Sequence, residues 1–227
     1  MMGIVTILLA VAVSLSVPGV INRTRARLAG RKGMRFTQHI LNMRAMMRKG
    51  VVTGHTSTLI FRVAPSVYLA TAFTALLFIP VGSLDPLLHF RGDVVVFCYT
   101  LALGRLALIL AALDTGSSFE GMGASREALY GAMIEPALFI VAGTLAMISG
   151  YTSFSDMFHV AAGQQHTPEM TIVLLLLAYV ITRILVVESG RIPVDDPRTH
   201  LELTMIHEVM ILDYSGLDLA MITAASW

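Results

Sequence analysis

The chain has 227 residues, 56% of them hydrophobic and 14% charged, with a formal net charge of +1. A soluble domain carries roughly 25% charged residues, so this composition excludes an ordinary soluble enzyme and places the chain among membrane proteins. Its length accommodates one helical bundle with its loops but no additional soluble catalytic domain, and its single cysteine, Cys98, excludes an intrachain disulfide or a multi-cysteine metal site, so any redox cofactor would belong to a partner.

Five apolar runs each approach the roughly 20 residues that span a bilayer. They run from about Ile4 to Ile21, Val63 to Pro80, Val94 to Leu113, Met133 to Gly150 and Thr171 to Val187, and a sixth begins near Leu217 and runs to Trp227. The expected architecture is all-α: a polytopic transmembrane helix bundle forming a single domain over 1–227, with five complete spans and the start of a sixth. The first run lacks a preceding basic region and a small-residue cleavage pattern, so it reads as a retained helix and not a signal peptide. The end of the chain inside an apolar run suggests an incomplete form of a longer pattern.

The first loop, 22–62, is purely basic, because no Asp or Glu precedes Asp85. Ile40, Met43 and Met47 fall at helical spacing with Arg44 and Arg48 opposite, which predicts a short amphipathic helix in the membrane interface. Such a loop serves either anchoring on anionic lipid and control of topology, or docking of a cytoplasmic subunit. It lacks the interleaved aromatic residues of a nucleic-acid surface, and nucleic acid is not an expected partner.

The second loop, 114–132, contains Asp114-Thr115-Gly116, but aspartic-protease chemistry needs a second facing carboxylate and no second copy occurs. Gly121, Gly123 and Ala124 have neither a preceding strand nor a following Lys-Ser/Thr, so a tight turn is expected there in place of a phosphate loop. Glu135 is expected about one turn inside the fourth span, followed by Pro136, which lacks the N–H that would continue the hydrogen-bond ladder. A carboxyl in that position suits a proton relay; the alternative is a helix-end carboxylate paired with Arg126 or Arg105.

The third loop, 188–216, packs six carboxylates and two histidines between apolar segments. Glu188, Asp195, Asp196, Glu202, Glu208 and Asp213 are too irregularly spaced for a metal cage, and His200, His207 and Glu208 do not form a His-Glu-x-x-His order, so no metal site is expected. A helix over Thr199 to Leu212 is predicted from its apolar periodicity, which fits a solvated acidic face poorly.

These three loops resemble the membrane-subunit family related to subunit 1 of NADH dehydrogenase, shared by respiratory complex I and the membrane-bound NiFe hydrogenases. The resembling segments are GRKG at Gly30 to Gly33 with Gln38; GASRE at Gly123 to Glu127 with IEP at Ile134 to Pro136; and ESGRIPVDDP at Glu188 to Pro197, LEL at Leu201 to Leu203 and DYSG at Asp213 to Gly216. The resemblance implies a junction between a membrane arm and a peripheral electron-transfer arm. It implies an ion path through Glu135, Glu188, Asp195, Glu202 and Asp213, and a docking face at Arg31, Lys32, Gln38, Arg126, Glu127, Arg191, Asp196, Arg198 and His200. Arg198 and His200 stand where the quinone-reducing branch has glutamates, and the wording of the second and third loops is closer to the hydrogenase branch, as in formate hydrogenlyase. That branch implies a non-catalytic subunit of a group 4 type complex without a cofactor of its own. Hydrogenase large and small subunits with the NiFe centre, iron–sulfur proteins and antiporter-like membrane subunits are the implied partners. Complex I is the alternative, with the same loops lining a quinone pocket.

Charge sets the expected orientation. Of 16 Lys and Arg, 13 fall in the loops after the first, third and fifth spans and only Arg91 in the opposite loops, so the positive-inside rule puts 22–62, 114–132 and 188–216 in the cytoplasm of a prokaryotic cell and the N-terminus outside. A Cys introduced at Gly163 is therefore expected to react with an impermeant thiol reagent added from outside; labelling only from the cytoplasmic side would reverse the assignment.

Overall fold

The computed structural model describes residues 2–54, 57–82, 84–163, 167–190, 194–195 and 205–226. Among them the secondary structure is helical, without extended strands: α1 (Met2–Leu28), α2 (Gln38–Met47), α3 (Leu59–Leu76), α4 (Asp93–Asp114), α5 (Ser118–Ser149), α6 (Phe154–Ala161), α7 (Pro168–Glu188), α8 (His207–Met210) and α9 (Gly216–Ala225). Helices α1, α3, α4, α5 and α7 are long and apolar enough to cross a membrane, and α9 is a shorter apolar helix. The chain is a multi-pass membrane protein, as the five apolar runs require.

Two boundaries differ from expectation for an identifiable reason. Helix α5 has 32 residues, about 48 Å at the helical rise, and takes up most of the segment assigned from sequence to the second loop. Gly121, Gly123 and Ala124 are helical, not a turn. A Cβ at Gly123 would meet Met210 Cγ at 3.0 Å and the Ile206 carbonyl at 3.1 Å, so this glycine serves close packing of the third loop on α5. Glu135 consequently lies in the middle of α5 and not one turn inside its start.

Of the predicted helix over Thr199 to Leu212, the described residues contain α8. Residues 199–204 lie outside the described residues, and Met205 and Ile206 precede the helix without regular structure. Met205, Ile206, Val209 and Met210 are all buried, with α8 seated on α5 and α4. These four apolar side chains form a plug in the bundle. The expected amphipathic helix is present as α2, which buries no residue of its own and lies on α1 and α9.

Helix α3 packs along α4 and α9, and α4 along α5. Phe61, Ala64, Leu108, Ala111, Ala112, Ala124, Met210, Tyr214 and Ile222 make the core at one end, and its alanines let the helix backbones approach closely. The same end gathers all three loops. Asp114, at the C-terminus of α4, accepts from the Thr58 N–H and hydroxyl at 2.7 Å each and from the Phe61 N–H at 3.3 Å, so its charge sits on the N-terminal dipole of α3. At the opposite end Asp93, fully buried, accepts from the Phe154 N–H at 2.7 Å and the Ser153 hydroxyl at 3.1 Å, tying α4 to the start of α6.

The DYSG segment fastens the third loop to the other two. The Asp213 N–H donates to Glu120 Oε1 at 3.1 Å, the Tyr214 hydroxyl donates to the Phe61 carbonyl at 2.8 Å, and Ser215 Oγ accepts from the Val52 N–H at 2.9 Å. The Tyr214 and Phe61 rings stack with centroids 4.0 Å apart. Gly216 has φ +55°, and a Cβ there would meet the Gly50 carbonyl oxygen at 2.6 Å, so both its backbone angle and its surroundings demand glycine. Replacing Tyr214 by Phe keeps the ring and strands the buried Phe61 acceptor, which should cost about 1–3 kcal/mol; Gly216→Ala should cost more. Thermal unfolding of the detergent-solubilised protein measures both, and an unchanged transition in Y214F would show that the hydrogen bond contributes nothing.

Candidate functional site: a guanidinium among carboxylates

Arg105 lies in the interior of the spanning helix α4 and is only 8% exposed. A charge at that depth needs partners, and three carboxylates supply them. Arg105 Nε is 3.3 Å from Glu127 Oε1, Nη1 is 3.1 Å from Glu135 Oε1, and Nη2 pairs with Glu188 Oε1. The planar fork of the guanidinium, with donors pointing in several directions, is what permits one cation to serve three acids.

Local sequence builds this arrangement. Glu127, Gly131 and Glu135 recur at intervals of four along α5, so they share one face of the helix. A Cβ at Gly131 would lie 3.0 Å from Arg105 Nη1 and 3.1 Å from its Cδ. The missing side chain therefore makes the gap in which the arginine lies between the two glutamates. Glu188 arrives from the last residue of α7, which closes the cluster from a third helix.

The cluster continues into the third loop. His207 Nε2 is 3.5 Å from Glu127 Oε2, and His207 Nδ1 is 3.4 Å from Asp195 Oδ2. The same Asp195 oxygen accepts the His207 backbone N–H at 3.1 Å. Burial works against the charge of Asp195, but the hydrogen bonds from His207 outweigh it and hold the carboxyl below its ordinary range. Arg126, one residue from Glu127, donates to the Met205 carbonyl at 3.1 Å and so holds the entry to α8 against α5.

A cavity of about 410 Å³ opens beside the cluster, bordered by Arg25 of α1, Tyr68 of α3, Glu188, His207 and Ile222 of α9. Its lining sets apolar side chains such as Leu108, Met210 and Ile222 among a larger number of polar and charged ones.

The expected ion-path residues divide accordingly. Glu135, Glu188 and Asp195 join the connected set around Arg105 and His207. Asp213 contributes its backbone to Glu120 and carries an exposed side chain, and Glu202 lies outside the described residues. Of the two partners proposed for Glu135, Arg105 is the one it contacts. Among residues expected at a docking face, Arg31 and Lys32 are exposed, and Gln38 donates to Asn42 Oδ1 at 2.9 Å. Arg126 and Glu127 are turned inward to the contacts above, and Arg191, Asp196, Arg198 and His200 lie outside the described residues. The centre of the site, Arg105, and its link to the loop, His207, are not among the site residues expected from sequence. The signals for the first are an arginine within an apolar span and the Glu-x₃-Gly-x₃-Glu stripe on α5.

The family model for NADH dehydrogenase matches residues 1–227. Hydrogenase-4 component C of Escherichia coli is 32% identical over 209 residues, covering 92% of this chain and 64% of that protein. Formate hydrogenlyase subunit 4 of Escherichia coli is 30% identical over 210 residues, covering 92% and 66%. A subunit of the NADH-quinone oxidoreductase of Koribacter versatilis is 26% identical over 170 residues, or 71% of this chain and 40% of that protein. The chain thus spans just under two thirds of the length of the first two relatives. A chain of the membrane-bound sulfane sulfur reductase, an archaeal respiratory membrane complex, superimposes with a TM-score of 0.82 over 99% of this chain and 72% of its own length at 22% identity, which shows a shared fold. With the family match running the full length of the chain and the bundle reproduced in a respiratory membrane complex, this chain belongs to the NADH dehydrogenase family.

Proposed function

We propose that the chain is the membrane anchor and ion-coupling subunit of a multisubunit membrane-bound NiFe hydrogenase complex. The observation that carries this reading is the Arg105 cluster, in which one guanidinium faces Glu127, Glu135 and Glu188. Its acids outnumber its cation inside a low-dielectric bundle, so the remaining charge is met by a proton or another cation. Whichever carboxylate gives up Arg105 is the one that takes that cation. A shift of the guanidinium between partners therefore moves charge through the bundle without any cofactor in this chain.

The end that gathers the three loops is read as the cytoplasmic face, in a prokaryotic plasma membrane with the N-terminus outside, from the distribution of Lys and Arg. There the loops would receive the hydrogenase large and small subunits and iron–sulfur proteins, which would hold the NiFe and iron–sulfur centres. Arg31, Lys32, Arg191, Asp196, Arg198 and His200 would meet this arm through complementary charge. Glu135 has 43% of its side chain exposed on the chain's own surface, where an antiporter-like membrane subunit would continue the path. The names of the two Escherichia coli relatives support the hydrogenase assignment.

A second reading, a quinone-site subunit of complex I, is favoured by the cavity of about 410 Å³ beside Glu188 and His207. Quinone-site inhibitors distinguish the two readings. The hydrogenase assignment expects hydrogen evolution by the intact complex to be unaffected by them, and inhibition relieved by substitutions lining that cavity would promote the quinone reading.

Ion coupling has its own test. Glu135→Gln and Glu188→Gln each keep size while removing a charge, so both variants should assemble and sustain partner electron transfer to an artificial acceptor. Ion translocation should fall by about a hundredfold or more, the order expected for loss of a proton-transfer group. Loss of assembly in both would show instead that the carboxylates serve only to hold Arg105 in the fold.

A further inference from the structure

His207 stands between two carboxylates that belong to different elements. Its Nδ1 faces Asp195 in the third loop and its Nε2 faces Glu127 on α5, while the other oxygen of Glu127 faces Arg105. A continuous line of charge runs from Asp195 through His207, Glu127 and Arg105 to Glu135 and Glu188. The imidazole also borders the cavity, so a proton can reach it from there. Room for the ring comes from Gly190, which has φ +54° and where a Cβ would stand 2.8 Å from Nδ1.

The chemistry of imidazole makes this position decisive. A neutral ring has one N–H and one lone pair, so it donates to one carboxylate and presents a lone pair to the other; an imidazolium donates to both. With His207 cationic, Glu127 is shared between His207 and Arg105, and the guanidinium is freer to hold Glu135 and Glu188. When the ring is neutral, Glu127 draws on Arg105 more strongly and an outer carboxylate loses its partner.

We infer that His207 is a positioning residue of ion coupling: by taking up a proton on the cavity side, it sets which of Glu127, Glu135 and Glu188 holds the Arg105 guanidinium. The inference rests on the coupling function proposed above. Burial opposes a charge on His207, as does Arg105 nearby, but the carboxylate of Asp195, 3.4 Å from Nδ1, and that of Glu127 outweigh them, and the ring titrates above its ordinary value of 6.5. Glu188 and Tyr68 border the same cavity, and Glu208 follows on α8.

The test uses the intact complex in inverted membrane vesicles, with ion translocation per electron transferred measured against pH. Wild type should show an inflection above pH 6.5. His207→Gln, which retains hydrogen bonding but does not titrate near neutrality, should abolish that inflection and lower the ratio. Asp195→Asn removes a charge that holds the proton on the ring, so its inflection should move to lower pH. A wild-type ratio and inflection in H207Q would overturn the inference. If H207Q does not assemble, D195N decides, and an unmoved inflection overturns it equally. E135Q and E188Q in the same vesicles separate the two failures. Normal translocation in both removes the coupling reading itself, whereas reduced translocation there with a normal H207Q removes only the role of His207.

Discussion

The bundle is organised around one buried cation. Arg105 sits on α4 and is met by acids from α5 and α7, so three spanning helices share a single electrostatic centre. In hydrocarbon there is little hydrophobic force to choose one helix arrangement over another, because lipid tails are as apolar as leucine side chains. A buried ion network supplies direction that apolar packing lacks. Removing Arg105 would leave three carboxylates uncompensated and is strongly unfavourable, whereas loss of one acid leaves the guanidinium two partners, and the intact set need not add much net stability. Its value lies in specifying where α4, α5 and α7 stand relative to one another.

The loop end has its own fixed frame, and it is made largely of backbone contacts. Asp114 carries its charge from the end of α4 to the start of α3, Glu120 reaches the Asp213 backbone, and Ser215 and Gly216 meet the stretch around Lys49 to Val52. The loops that look independent in sequence thus share one floor. His207 and Asp195 are mounted on that floor, directly beside the arginine cluster.

Much of the fold is legible in sequence because bilayer thickness sets a length that apolar runs must match. The five spans follow from that rule, and α2 follows from a three-and-four spacing of apolar residues. The long N-terminal extension of α5 is not legible in the same way. Gly121 and Gly123 carry the local signature of a turn, and only the close approach of Ile206 and Met210 explains why glycine occupies a helix at 123. Likewise the apolar stretch before Leu212 has helical periodicity, but the described part is used as a buried plug. At the site, Glu135 and Glu188 stand out because carboxylates near apolar runs are conspicuous. Glu127 is expected at the docking face only through the resemblance of the GASRE segment, Gly123 to Glu127. Its burial depends on Arg105, 22 positions earlier in the sequence, and tertiary pairing of that kind is invisible to local pattern.

The gap at Gly131 has a consequence for how this helix pair tolerates change. A single methyl group there would intrude on both the stem and the head of Arg105, so the two positions behave as one unit. Alanine at 131 would press the guanidinium away from Glu127 and Glu135 together, and a shorter or thinner cation at 105 would leave the same space unfilled. Residues in such direct contact respond non-additively to substitution. A glycine with no chemistry of its own therefore acts as the mould in which the charge-bearing group is cast.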